Sequence, residues 1–353
     1  MANKRRGAPL AVCALMLGVG ALTACGKPSD AAGSDKPLIG VSMRFIAGNS
    51  WLSTLNKATV DAGNEQGYRV LAVDAQGDAA RQVQQMKSFI AQGAKAIIIE
   101  PVHDKDVAAG ITAAKDAGVK VVVVNDRVAD ELATQVACNV YDDGAATAKL
   151  VGAETAKAIA SRKPAGSTIK LYIQALFPDE LVTQTRENGF MAGWNEYFQA
   201  HRGYKIVRIP NNYGEAQPDK TLAAMRGVLT AHPDIDVVFN QTDVVMPSVK
   251  EALKSARLMK ADGSSTVLLA GFDGGMDVVR DMADNPRSPA VADGLNQPPT
   301  QAAYSVEEAI AAIKGTQTGQ CAGSPPTRIV PPKIATPQNA KELVNPDLKF
   351  AGA

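Results

Sequence analysis

Histidine is scarce in this sequence: His103, His201 and His232 are the three in 353 residues, and they lie far apart. None stands near a serine or cysteine in a nucleophile motif, and no Gly-x-Ser-x-Gly elbow occurs. A Gly-x4-Gly-Lys-[Ser/Thr] phosphate loop is missing, as is a dinucleotide fingerprint after the first strand. Cysteine and histidine lack metal-ligand spacing, which leaves zinc nothing to hold it. His103, behind Pro101 at a strand end, reads as a solvated loop residue. Nor is there an excess of basic charge, with a formal net charge of +1, so nucleic acid is not an expected partner. These gaps leave no nucleophile paired with a base. The chain is read as a non-enzyme with no cofactor and no metal.

Long apolar runs are also few. The run from Leu10 to Thr23 is too short for a convincing membrane span. It follows Lys4-Arg5-Arg6 and ends in Leu22-Thr23-Ala24-Cys25, the order of an export signal with a small-residue cleavage site. That ending resembles the lipobox of bacterial lipoproteins, which implies lipidation at Cys25. Residues 1–24 are then a signal peptide and 25–36 a flexible, lipid-anchored tether. Losing residues 1–24 removes three basic residues and no acidic ones, turning +1 into −2. Membrane attachment would rest on the lipid, at the periplasmic or extracytoplasmic face of the cell envelope. Cys138 and Cys321 remain. They are either a disulfide, as export permits, or two small buried residues.

What the chain has in plenty is strand and helix in alternation. Lys120-Val121-Val122-Val123-Val124 has no polar alternation and reads as a parallel strand buried on both faces. Before it come strands at Leu38–Met43, Arg69–Val73 and Ala96–Ile99, separated by helical segments. After Tyr141-Asp142-Asp143 the pattern restarts, with strands at Ser167–Gln174, Lys205–Ile209, Asp236–Asn240 and Val267–Asp273. A last helix, Pro299–Lys314, and one or two short strands follow. Two successive α/β sets with short connections indicate two Rossmann-like lobes, each with a parallel sheet.

Polar residues recur where these strands end: Asp74, Glu100, Asp126-Arg127, Gln174, Gln241-Thr242-Asp243 and Asp273. Ligands of open α/β sheets bind at that edge. Carboxylates, amides and guanidinium groups suit hydroxyls that both donate and accept. An isolated Asp at such a position often caps the next helix instead. Recurrence in both sets favours a small, uncharged, hydroxyl-rich ligand.

Several stretches together resemble the type I periplasmic-binding proteins of sugar ABC importers, in particular the ribose-binding branch. They are Val121 to Arg127, Arg186-Glu187-Asn188-Gly189-Phe190, Thr230 to Asp234, Val237 to Asp243, and Gly271-Phe272-Asp273-Gly274. The resemblance implies two lobes joined by a three-crossing hinge that close on a sugar or polyol. It implies ligand contacts from Asn49, Trp51, Asp126, Arg127, Thr242, Asp273 and Gln297. A second-lobe aromatic is expected at Tyr213, or else Phe177. Gln184 is taken as standing where the branch has an arginine, and Thr242 where it has asparagine. With the lengthened loop Arg44–Gly48, these departures point away from ribose towards other pentoses, hexoses or a polyol such as inositol. Lobe 1 is expected over 37–141 plus 297–325, and lobe 2 over 142–296 plus 326–353. Expected partners are the sugar or polyol and an ABC permease in the inner membrane, with the receptor itself a monomer. A sensor for a signalling partner would read the same way, and an exported α/β enzyme is the weaker alternative.

Overall fold

Apolar runs without polar alternation become central strands only if both faces are covered. In the computed structural model, which describes residues 36–345 and 349–350, this is how they are used. The leader, Cys25 and the tether up to residue 35 lie outside the described residues. The first strands are β1 (Leu38–Met43), β2 (Arg69–Asp74), β3 (Ala96–Ile99), β4 (Lys120–Val124) and β5 (Cys138–Asp142). Then come β6 (Thr168–Ala175), β7 (Lys205–Tyr213), β8 (Val237–Asn240), β9 (Leu268–Phe272) and β10 (Ala290–Gly294). The short β11 (Thr327–Val330) and β12 (Ile334–Ala335) complete them.

They form two six-stranded sheets, ordered β11-β5-β4-β3-β1-β2 and β12-β10-β9-β8-β6-β7. Pairing is parallel throughout except between β10 and β12. In the first sheet the winding reverses between β1 and β3, and in the second between β6 and β8. At such switch points the loops diverge and open a crevice at the carboxyl ends. Two crevices, one per sheet, are the raw material of a site.

Three segments cross between the lobes. The first runs from β5 into the helix Gly144–Arg162, the second from β10 into the helix Pro298–Lys314, and the third from β11 to β12. The third comes later than the sequence suggested. Thr327–Val330 runs beside Asn139–Asp142 in the first sheet, so the chain returns to the second lobe after Val330 rather than at 326. Val330 is fully buried there, an apolar anchor that a loop would leave in water. The helix Met276–Asp284 and strand β10 were not read from the sequence. Ala-Val-Ala-Asp-Gly lacks the β-branched density of the other strands, and buried Asp293 breaks its apolar run.

Helices Gly144–Arg162 and Leu181–Ala200 pack backbone against backbone because glycine lines their contact. A β-carbon on Gly193 would lie 1.9 Å from the carbonyl oxygen of Lys149, and one on Gly152 would lie 2.0 Å from that of Phe190. Backbone on backbone leaves no side chain to move aside. Above this contact Phe190 stacks on Phe239 with ring centroids 4.2 Å apart and on Trp194 at 5.8 Å. Cys138 and Cys321 are joined as a disulfide across 183 residues, which ties β5 to the loop that leads into β11. Glu308 lies close to both sulfurs, but a disulfide does not offer thiolates to a metal.

Gly193→Ala is expected to cost about 1–3 kcal/mol by overpacking, read as a lower urea midpoint with an unchanged slope; an unaltered midpoint would show that the helices can separate freely. Cys321→Ser should cost about 2–4 kcal/mol, and a reductant should lower the wild-type midpoint to the same place. A midpoint insensitive to reductant would mean the bond does not form.

Candidate ligand site between the lobes

The ends of six strands, two helices and the second crossing bring side chains to a single cavity. From the first lobe come Arg44 after β1, Asn49 and Trp51 at the head of the helix Ser50–Glu65, Glu100 after β3, and Asn125 and Asp126 after β4. From the second lobe come Phe177 after β6, Arg186 on the helix Leu181–Ala200, Thr242 after β8 and Asp273 after β9, while Asn296 enters from the second crossing. The cavity measures about 90 Å³.

Local backbone chemistry sets each of these residues in place. The Asn49 side chain accepts from the Leu52 N–H at 2.9 Å and caps the helix that carries Trp51. Trp51 donates its indole N–H to the Asn296 carbonyl at 2.8 Å, joining that helix to the second crossing. Asn125 is in the left-handed region (φ 66°), which asparagine tolerates, and so turns the chain sharply after β4. Asp273 has φ 108° and is followed by Gly274 at φ 74°. For a residue with a β-carbon that conformation is strained, and such strain persists where surrounding contacts hold it. Here they do: Thr242 Oγ1 donates to Asp273 Oδ2 at 2.6 Å, and Arg186 Nη2 meets Oδ1 at 2.9 Å.

Two arginines in the cavity lining stand against three carboxyls, Glu100, Asp126 and Asp273. Arg186 also donates to the Gln241 carbonyl at 2.5 Å and lies 4.0 Å over the Phe272 ring. Arg44 donates Nε–H to the Pro101 carbonyl at 3.0 Å, pairs with Asp126, and stands 3.6 Å from Glu100 and 3.9 Å from Glu180. Burial pushes the Glu100 carboxyl up to about 7, with Arg44 pulling the other way. Asp142, in the first crossing, is likewise raised by burial to about 7 against the pull of Arg186. Beneath the cavity, buried Asp243 and Asp293 press together, and burial raises both. Among the described residues three of their four oxygens meet no donor, and two carboxylates so close do not both ionise readily.

Of the residues expected from the sequence, Asn49, Trp51, Asp126, Thr242 and Asp273 come together on this cavity, with Phe177 as the second-lobe aromatic. Tyr213 does not: it is 43% exposed at the far end of β7. Gln184 is exposed beside Glu180 in a neighbouring cavity, while Arg186 supplies the guanidinium. Two helix positions are about 200° apart, so 184 and 186 cannot share a face. Arg127 is exposed and lies 4.5 Å over the Tyr141 ring, outside the 90 Å³ cavity. Gln297 is buried, but donates to the Pro331 carbonyl at 3.1 Å, bracing the second crossing against the third. Its neighbour Asn296 reaches the cavity. Glu100 was named only among the strand-end polar residues and Arg186 only in a family-like stretch; Arg44 and Asn296 were not named as contacts, and the only trace of Arg44 was the longer first loop. A groove of about 940 Å³, lined mostly by the second lobe with Ser50 of the first, is bordered by none of the strand-end polar residues except Asp243.

A family model described as a periplasmic binding protein domain matches residues 39–317. The chain belongs to that family. The architecture is its type I form, two mostly parallel sheets with flanking helices, as the resemblance implied. The chain is 27% identical over 285 residues to a ribose import binding protein of Bacillus subtilis (strain 168), spanning 79% of this chain and 85% of that one. It is similar to an ABC transporter solute binding protein of Mycobacterium smegmatis solved with bound glycerol (TM-score 0.72, 26% identity, 90% of this chain and 100% of that one). A solute binding protein of Actinobacillus succinogenes 130z, solved with D-allose, shares the fold with a TM-score of 0.74 at 19% identity over 87% of this chain and 100% of that one. No helix among the described residues is long and apolar enough to cross a membrane.

The raised carboxyls set a pH dependence. Their folded values lie above the unfolded ones, so their contribution is full below about pH 4 and is lost as pH rises towards 7. Asp243→Asn keeps an acceptor for Gly275 N–H and removes one charge from the acid pair. Urea unfolding should show this variant gaining on wild type between pH 5 and 8. A constant difference across that range would mean that the pair does not titrate there.

Proposed function

We propose that this protein captures one neutral sugar or polyol between its lobes and delivers it to an ABC permease. The observation that carries this reading is the cavity itself, where two guanidinium–carboxylate pairs, one from each lobe, face each other beside Trp51 and Phe177. Each cation has a carboxylate beside it, and burial pushes Glu100, the third carboxyl of the lining, up to about 7, so little net charge calls for an ionic ligand. Donors and acceptors in planar forks suit adjacent hydroxyls, and aromatic faces suit the C–H side of a sugar ring. The ribose import and glycerol-bound relatives support the same chemistry.

Closure follows from the lobes' shared ownership of the site. A ligand that bonds Asp126 and Asp273 together stabilises the closed state by its differential affinity for it. Nothing in the cavity pairs a nucleophile with a base, which favours binding without turnover. The leader supports an extracytoplasmic location, with Cys25 as the lipid attachment and residues 25–36 as tether. The boundaries proposed for the lobes are 37–141 with 297–330, and 142–296 with the remainder.

A thermal-shift screen of the protein against pentoses, hexoses and polyols should raise its melting temperature for at least one of them, since a ligand that binds only the folded state stabilises it. Asp126→Ala should weaken the best ligand by about 10- to 100-fold, the value of a charge-assisted hydrogen bond, with the unliganded melting temperature little changed. A broad panel with no shift would sink the sugar reading. Unchanged affinity in the variant would take Asp126 out of the site.

A further inference from the structure

The small cavity does not stand alone. A second one of about 510 Å³ opens beside it, lined by His103, Asp104, Asp130, Glu131 and Asp179 among others. Three residues line both spaces: Arg44 and Asp126 from the first lobe and Val182 from the second. Arg44 is the longest of the three, and its side chain is only 13% exposed. It is held along its length. Its backbone N–H donates to Glu100 Oε2 at 3.1 Å, its Nε–H to the Pro101 carbonyl at 3.0 Å, and its two terminal nitrogens point to carboxylates on opposite lobes, Asp126 and Glu180.

Resting on the sugar-binding reading, we propose that Arg44 is a specificity-determining partition: its guanidinium closes the inner cavity against the outer one and restricts the ligand to a single unsubstituted sugar or polyol. A guanidinium has five N–H donors, and the Pro101 and Asp126 hydrogen bonds use two of them. Of the other three, those on Nη1 face Glu180 at 3.9 Å, beyond hydrogen-bond range, so a ligand hydroxyl oxygen can take them. The same planar group stands where the two spaces adjoin, in the path of an O-linked substituent directed from one into the other. A shorter, neutral side chain joins the two spaces, so a ring in the inner cavity can carry its substituent into the outer one. Loss of Arg44 therefore changes which ligands bind, and not merely how tightly.

The test is isothermal titration of wild type, Arg44→Ala and Arg44→Gln with D-ribose, D-allose, L-arabinose and myo-inositol, and with the O-methyl and O-phenyl derivative of each. Wild type is expected to bind a parent compound and to reject its derivatives by about 100-fold or more. The variants should bind that parent about 10- to 100-fold more weakly, having lost a charged donor, yet accept the derivatives to within tenfold of the parent. If Arg44→Ala does not fold with Glu100 left unpaired, Arg44→Gln decides, because it retains an amide donor without the charge. Wild type binding a derivative as tightly as its parent would overturn the partition and leave the sugar reading intact. So would variants that keep the wild-type selectivity. Wild type that binds no parent and no derivative would overturn the sugar reading and this proposal together.

Discussion

Burying a carboxylate is costly unless a cation or a proton comes with it, and this chain buries Glu100, Asp243, Asp273 and Asp293 where its two sheets meet the cleft. Both remedies are in use. Arg44 stands beside Glu100 and Arg186 beside Asp273, while Asp243 and Asp293 share what one proton can give. The division follows depth. The pairs with arginine line the cavity, where a ligand can compete for their hydrogen bonds. The acid pair lies below, against the Gly271–Gly275 turn, where a β-carbon on Gly271 would come within 2.5 Å of Asp243.

Asn296 is the point at which these charges meet the hinge. Its amide nitrogen lies 3.4 Å from both Asn125 Oδ1 and Asp273 Oδ1, and its carbonyl takes the Trp51 indole N–H. One residue in the second crossing thus touches a strand end of the first lobe, the first helix, and the strained aspartate of the second. Gln301 donates to its side-chain oxygen at 2.5 Å and orients the amide. Relative motion of the lobes has to work around this node, so ligand contacts and hinge geometry are coupled by direct hydrogen bonds rather than at a distance.

Legibility in the sequence tracked the range of the interactions involved. Strand β4 was plain because four consecutive valines need burial on both faces, and Thr242 and Asp273 followed from their place behind β8 and β9. Strand β10 was hidden because its Asp293 is paid for by Asp243, a partner fifty residues away. Tyr213 failed as the second-lobe aromatic because β7 runs on to that residue at the sheet edge and carries it into solvent, while Phe177 sits behind a central strand. Gln184 failed by helical phase, two residues from the arginine that faces the cavity.

The alternation of strand and helix, the restart after Tyr141 and the polar tip on each central strand are all written locally in the chain. These are local matters of burial and turn chemistry, written at spacings of a few residues. The sequence also held enough family-specific stretches to imply the two-lobed form. Which first-lobe guanidinium enters the 90 Å³ cavity was settled by packing between distant segments. Arg127 and Arg44 both follow strands of the first sheet, yet Arg127 turns out over Tyr141 and Arg44 turns in. The reason is a network of long-range partners, Glu100, Pro101, Asp126 and Glu180, assembled only when β1, β3 and β4 lie side by side and the second lobe faces them.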